Sequence, residues 1–360
     1  MLDRSGPVKP GLVRVVVADD SAYVRKVVTS ILSSSPFIEV AGTARNGQEA
    51  LRMVEELDPD VVVTDLVMPE MNGVELIRRI MRERPRPVLV CTQLESTTDL
   101  GTAALEAGAV EFLRKPTARA SKELYQMREA LIERVKALGQ SSRERIGRLL
   151  SEKPLQRPVA PKIAPPRHKR GTIEALAVGA STGGPQALRK LFSKLPENFP
   201  VPIAVVLHMP VGFTDWYAEG LDKATPLRVK EAADGDLMTP GVILVAKAGF
   251  HLKLRRTPQG LAAAQLDSEP ADTLHKPSVD VLFASAAEVY GPNVLGVVLT
   301  GMGSDGKAGA EQIKRRGGLV FTESEESCVV YGMPKSVKEA GLSDLSAPLD
   351  DLPRAILETI

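Results

Sequence analysis

Cysteine is scarce in this chain. Cys91 and Cys328 are the only two among 360 residues, far apart and each in or beside an apolar run. That excludes a disulfide framework and leads us to expect reduced thiols. No apolar run is long enough to span a bilayer, and the first eleven residues lack the apolar core of a secretory leader. A cytoplasmic protein without membrane insertion is therefore expected. A large charge of either sign is missing too: the net charge of +1 gives no reason to expect nucleic acid or an anionic membrane as partner. Among the four histidines there is no H-E-x-x-H and no close spacing, and no paired cysteines accompany them, so a catalytic metal centre is not expected. The single tryptophan, Trp216, falls in a helical stretch and reads as a packing residue.

What is present is an ordinary core-forming composition, 43% hydrophobic and 25% charged, in a length that suggests two domains. From residue 13 to 116, short β-branched runs alternate with amphipathic helical stretches. Strands are expected over 13–18, 39–43, 60–64, 88–91 and 110–113, with helices between them and a last helix starting near Ser121. Five such β/α units imply a parallel sheet covered on both faces, whose ligands bind beyond the carboxyl ends of the strands. Those ends carry Asp19 and Asp20, Asp65, Thr92 and Lys115. Three converging carboxylates repel one another unless a hard cation such as Mg²⁺ neutralises them. Lys115 adds a point charge and Thr92 a hydroxyl able to bond a phosphoryl oxygen. Any one of these aspartates could be a helix cap, but five polar residues at strand ends point to a site.

A charged helical stretch over 121–150 follows, with Leu124, Met127, Leu131, Val135 and Leu138 on one stripe. Residues 153–169 hold five prolines, Pro154, Pro158, Pro161, Pro165 and Pro166, and few large apolar residues, which reads as an extended tether with His168 solvated at its basic end. The expected domains are thus 12–137, a linker over 138–170, and 171–360.

Beyond the tether the β/α alternation resumes. Residues 178–185, Val-Gly-Ala-Ser-Thr-Gly-Gly-Pro, follow an apolar run and precede a helical pattern with Leu188, Leu191, Phe192 and Leu195 on one face. Gly179 to Gly183 fits G-x-S-x-G, where glycines allow a sharp turn that exposes a serine at a strand end. A helix N-cap or a phosphate-cradling turn would use the same residues. Strands are expected over 202–207, ending in His208, and over 294–299, leading to the glycine-rich turn that holds Asp305. Shorter strands are expected over 227–231, 241–246 and 251–255, the last two as an edge hairpin. If the three long strands are parallel neighbours, Ser181, His208 and Asp305 meet at one edge. That arrangement suits acyl transfer: histidine takes the serine proton and a carboxylate fixes the imidazole tautomer. The amides of Thr182 and Met302 could face an oxyanion. His251 and His275 read as surface or substrate-contact residues. The chain order Ser…His…Asp separates this domain from α/β-hydrolases.

Two resemblances follow. Ala18-Asp19-Asp20, Asp65 to Pro69, Met71-Asn72-Gly73, Thr92 and Lys115-Pro116 resemble the response-regulator receiver domain. That resemblance implies a flavodoxin-like fold, phosphorylation of Asp65 by a histidine kinase, and Mg²⁺ held by Asp20, Asp65 and the Val67 carbonyl with Asp19 nearby. It also gives Thr92, Phe112 and Lys115 switch roles, and it makes Asn72 a departure where the family often has Asp. Residues 179–185, His208-Met209-Pro210, residues 277–280, residues 300–306 and Tyr331-Gly332-Met333-Pro334 are similar to the protein-glutamate methylesterase domain. Together the halves resemble the chemotaxis methylesterase family over nearly the whole chain. This implies Ser181, His208 and Asp305 as a triad, acting on glutamate methyl esters and certain glutamines of chemoreceptors with no cofactor for the ester reaction. Lys247, where the family commonly has proline, and Gly220 depart from the pattern. A non-catalytic module with a phosphate at the Ser181 turn is the rival reading. A DNA-binding regulator would want a helix-turn-helix and a basic face, which the sequence does not supply.

Overall fold

The structure, a computed structural model, describes residues 11–93, 98–115, 121–141, 146 and 173–360. The chain divides into two compact units, Met1–Gly147 and Arg148–Ile360.

In the first unit, strands β1 (Val13–Ala18), β2 (Ile38–Ala44), β3 (Val61–Thr64), β4 (Val88–Thr92) and β5 (Glu111–Arg114) form one parallel sheet in the order β2-β1-β3-β4-β5. The central runs, Val-Val-Val-Thr in β3 and Val-Leu-Val-Cys-Thr in β4, are buried along their whole length, as a sheet covered on both faces requires. Helices α1 (Ala22–Ser33), α2 (Gly47–Leu57), α3 (Gly73–Glu83), α4 (Thr98–Ala107) and α5 (Ser121–Gly139) supply the cover. Ser21, Asn46 and Asn72 cap the first three by accepting the amides of Val24, Glu49 and Glu75. Asn72 thus does at its position what an aspartate would do as a cap. The expected stripe on α5 is buried at Met127, Leu131, Val135 and Leu138. The side chain of Leu124, most of the expected 138–170 linker and its prolines lie outside the described residues.

The second unit opens with β6 (Ala175–Ala180), α6 (Gly184–Phe192), β7 (Ile203–Leu207), α7 (Thr214–Ala224), β8 (Arg228–Glu231) and β9 (Val242–Val245). It continues with β10 (His251–Arg256), β11 (Ala262–Asp267), α8 (Val279–Tyr290), β12 (Val294–Val298), α9 (Lys307–Arg315), β13 (Leu319–Glu323), α10 (Met333–Glu339), β14 (Leu345–Ala347) and α11 (Leu352–Thr359). Seven strands form a parallel sheet ordered β14-β13-β12-β6-β7-β9-β8. The expected edge hairpin between 241–246 and 251–255 is not there. β9 lies inside the parallel sheet, and β10 instead pairs antiparallel with β11, His251 opposite Asp267 and Arg256 opposite Ala262. The cause is the turn at Thr257–Gly260, where Gly260 takes φ +81° and the Thr257 amide bonds Leu261 O at 2.7 Å.

Small side chains on one face of the central strands let α8 settle close. Ala175, Ala177 and Val206 pack with Leu282, Phe283 and Ala286 of α8 and with Leu252 and Leu254 of β10. At Gly179 a Cβ would stand 2.3 Å from Val279 Cγ1, so glycine is required there by the helix and not only by the turn that follows. Burying each Leu or Phe of this cluster contributes roughly 1.5–3 kcal/mol. Trp216 is buried against Phe213, in line with its reading as a packing residue. Among the described residues no helix is long and apolar enough to cross a membrane.

Candidate functional site

Each unit gathers polar residues at the carboxyl ends of its strands. In the first, Lys115 Nζ lies 2.7 Å from Asp19 Oδ2 and 2.6 Å from Asp65 Oδ2, and all three side chains are buried. Carboxylate oxygens of Asp19, Asp20 and Asp65 lie within 4.8 Å of one another, a set of hard oxygen donors that suits a divalent cation. Burial raises the Asp19 carboxyl above its ordinary value against the lowering pull of Lys115, and the Asp65 charge adds a smaller push in the same direction. The Lys115 ammonium is disfavoured by burial, but its bonds to Asp19 and Asp65 outweigh that and raise its pKa. Thr92 closes β4, and the Lys115 amide bonds its carbonyl at 2.9 Å. Phe112 is buried in β5, whereas Val67 is exposed. Gly73 is fixed by contact: a Cβ there would meet Asp65 O at 2.0 Å. Behind the site, burial pushes the Cys91 thiol up to about 12, which leaves it inert.

In the second unit, the order β12-β6-β7 makes the three informative strands parallel neighbours. Ser181 follows β6, and its amide donates to Thr300 O at 3.0 Å at the end of β12. On the other side the His208 amide donates to Ala180 O at 3.1 Å. Gly183 takes φ +79° and caps α6, and a Cβ on Gly184 would stand 2.7 Å from Leu207 Cδ1. Both glycines are needed for the chain to turn from β6 into α6. Gly301 also lies against the serine, since a Cβ there would be 2.8 Å from Ser181 Cβ. Thr182 and Met302 are therefore immediate chain neighbours of that contact.

His208 Nε2 lies 2.9 Å from Asp305 Oδ2. Asp305 also accepts the Ser278 hydroxyl at 2.9 Å and the amides of Val279 and Asp280 at 2.8 and 2.9 Å. Burial works against its ionisation, but the His208 bond and the amides at the start of α8 prevail and hold it well below the usual carboxylate range. An ionised carboxylate only accepts, so His208 carries its proton on Nε2. Nδ1 is then the basic atom of the ring; it is buried and has no hydrogen-bond partner among the described residues. His275 stacks on this imidazole with ring centroids 4.0 Å apart and planes 21° from parallel.

Residues 176–356 match the family model described as CheB methylesterase, and residues 15–127 the one described as response regulator receiver domain. A protein-glutamate methylesterase/protein-glutamine glutaminase of Myxococcus xanthus (strain DK1622) is 46% identical over 341 residues, 94% of this chain and 96% of that protein. The chain belongs to the protein-glutamate methylesterase family. Its Bacillus subtilis (strain 168) relative is 39% identical over 354 residues, 97% of this chain and 99% of that protein. The solved catalytic domain of the Thermotoga maritima CheB methylesterase is 42% identical, covers 52% of this chain and 99% of its own, and superposes with a TM-score of 0.51. Members of the methylesterase family are hydrolases, and this one carries a receiver domain ahead of the hydrolase domain.

Against this family background, one expectation needs correcting. His251, expected as a surface or substrate-contact residue, is 0% exposed. Its Nδ1 accepts the Ser278 amide at 3.2 Å and its Nε2 lies 3.1 Å from Pro270 O, so it pins the loop from Pro270 to Ser278 that carries His275. Burial pushes its pKa down and keeps it neutral. His251 opens β10 opposite Asp267 of β11, next to Leu252 in the core. Lys247 forms an ion pair with Glu231 at 3.1 Å, and Gly220 is buried in α7. Sequence reasoning gave no support role to Ser278, Asp280, Thr300 or Glu323. Asp280 accepts the amides of Gly306 and Gly309 at 2.9 and 2.7 Å, which caps α9 just after Asp305. The motifs over 277–280 and 300–306 contained three of the four, all but Glu323, without showing what they do.

Proposed function

We propose that the second unit hydrolyses γ-methyl esters of glutamate side chains on a chemoreceptor and deamidates certain receptor glutamines, under control of receiver phosphorylation. The observation that carries this is the His208 Nε2–Asp305 bond of 2.9 Å, with a buried Nδ1 that has no partner among the described residues and the His208 amide bonded to Ala180 O next to Ser181. Ser181 Oγ attacks the ester carbonyl carbon while its proton passes to His208 Nδ1. The amides of Thr182 and Met302 receive the oxyanion. The C–OCH₃ bond then breaks and methanol leaves with the proton from His208. Water attacks the acyl-serine, again deprotonated by Nδ1, and releases glutamate and free Ser181. Asp305 stays ionised throughout and stabilises the imidazolium. An amide presents the same carbonyl, with ammonia as leaving group.

In the receiver, Asp65 accepts a phosphoryl group from a histidine kinase, with Lys115 and Thr92 contacting its oxygens and Phe112 reporting the change. Mg²⁺, held by Asp19, Asp20, Asp65 and the Val67 carbonyl, would supply charge neutralisation. A cytoplasmic location follows from the substrate and the kinase. The test is mass spectrometry of receptor peptides after incubation with the full chain. Loss of the methyl group from esterified glutamates, and amide-to-acid conversion at glutamines, is expected. Peptides unchanged while a phosphate ligand binds at the Ser181 turn would favour a non-catalytic module.

A further inference from the structure

Glu323 ends β13 and is 0% exposed. Its two oxygens are both engaged: Oε2 accepts the Thr300 amide at 2.8 Å and Oε1 the Ser327 hydroxyl at 2.8 Å. Ser327 in turn accepts the Leu349 amide at 3.0 Å. Thr300 passes this restraint in two directions. Toward the serine, its carbonyl accepts the Ser181 amide at 3.0 Å and its hydroxyl donates to Thr182 O at 2.9 Å. Away from it, the hydroxyl accepts the Val330 amide at 3.0 Å. The next residue, Gly301, bonds Val330 O through its amide at 3.0 Å, and its carbonyl accepts the amides of Gly332 and Met333 at 3.0 and 2.8 Å.

A carboxylate is a costly choice for a fully buried position, where a packed apolar side chain of similar volume would serve the core at least as well. What an apolar side chain cannot do is hold a backbone amide at a set point. The Glu323 oxygens accept one bond each at 2.8 Å, and losing the acceptor would leave the Thr300 amide unpaired in the core, so the carboxyl restrains Thr300 more than packing does. Acyl transfer needs that restraint, because its reacting atoms tolerate little misplacement.

We propose that Glu323 is a positioning residue for the esterase reaction, fixing through Thr300 both the Ser181-Thr182 turn and the Gly301-Met302 turn. This rests on the reading of Ser181 as nucleophile. Glu323 touches neither substrate nor reacting atoms. Its loss would therefore slow the chemical step while leaving the binding of the receptor helix largely intact.

The test uses the full chain as wild type, Glu323→Leu, Glu323→Gln and Ser181→Ala. It measures kcat and KM for demethylation of a methylated receptor, and the rate at which a serine-directed phosphonate labels the protein. Glu323→Leu should lower kcat and the labelling rate roughly 10- to 100-fold with little change in KM. Glu323→Gln offers the Thr300 amide an uncharged acceptor of the same shape, and should recover most of that loss. Wild-type kcat in Glu323→Leu, or a Gln variant as slow as the Leu variant, overturns the proposal. Should Glu323→Leu fail to fold, Thr300→Val decides. It keeps the side-chain shape and loses only the hydroxyl bonds, so it should also lower kcat without raising KM; an unchanged kcat there overturns the proposal. Labelling and activity that persist in Ser181→Ala would overturn the assignment of the nucleophile, and this proposal with it.

Discussion

At Glu323, burial and hydrogen bonding oppose each other, and burial prevails. The carboxyl is pushed from the ordinary 4.5 up to about 7, against bonds from Thr300 and Ser327 that favour the charged form. The folded state therefore holds this proton more tightly than the unfolded chain does. The stability it contributes is complete below pH 4.5 and is lost as pH rises through about 7. Glu323→Gln stays neutral throughout. Its second unit should match wild type at acid pH and exceed it above neutrality, by up to about 3 kcal/mol. Trp216, the only tryptophan in the chain, lies in that unit and reports its unfolding by fluorescence. A difference between variant and wild type that does not change across this pH range would refute the assignment. None of this was legible in the sequence. Glu323 is the last residue of a strand, and its partners become visible only once β13 is seen to lie beside β12.

Between elements, α8 and α9 exchange caps. Asp305, just ahead of α9, accepts the first amides of α8, and Asp280, in the first turn of α8, accepts those of Gly306 and Gly309 at the start of α9. The free N–H groups of each helix are met by a carboxylate belonging to the other, which ties Asp305 to two helix termini at once. Asp280→Ala should cost about 0.5–2 kcal/mol, the range for a lost cap. It should also lower kcat, because Asp305 would be less firmly held. Asp280→Asn keeps an acceptor and should recover most of both. Thermal unfolding followed at Trp216, together with initial rates, checks this; an Asn variant no better than Ala would show that the cap is not what matters. The β/α succession itself was readable, because buried parallel strands are unbroken apolar runs flanked by amphipathic stretches. The β10-β11 hairpin was not. Ala262-Ala263-Ala264 has little strand preference and becomes a strand only by pairing with Leu254 to Arg256 and packing beside α8. Ser181, His208 and Asp305 stood out because each comes just beyond an apolar run. The burial of His251 did not, since it opens a strand of that hairpin.

The whole molecule joins a receiver to a hydrolase domain, and control of one by the other is the property neither has alone. A phosphodonor should raise receptor demethylation by the full chain, and Asp65→Ala should abolish that increment, because it removes the carboxylate proposed to take the phosphoryl group beside Lys115. An undiminished increment in Asp65→Ala would place control elsewhere. The central claim concerns chemistry in the second unit, where Ser181 attacks and His208 Nδ1 takes its proton. Methanol released from a methylated receptor by wild type and by Ser181→Ala tests it most directly. Replacing a small turn residue leaves the fold in place, so Trp216 fluorescence should be unchanged while methanol release falls by several orders of magnitude. Release at near wild-type rate from a folded Ser181→Ala protein would contradict the account.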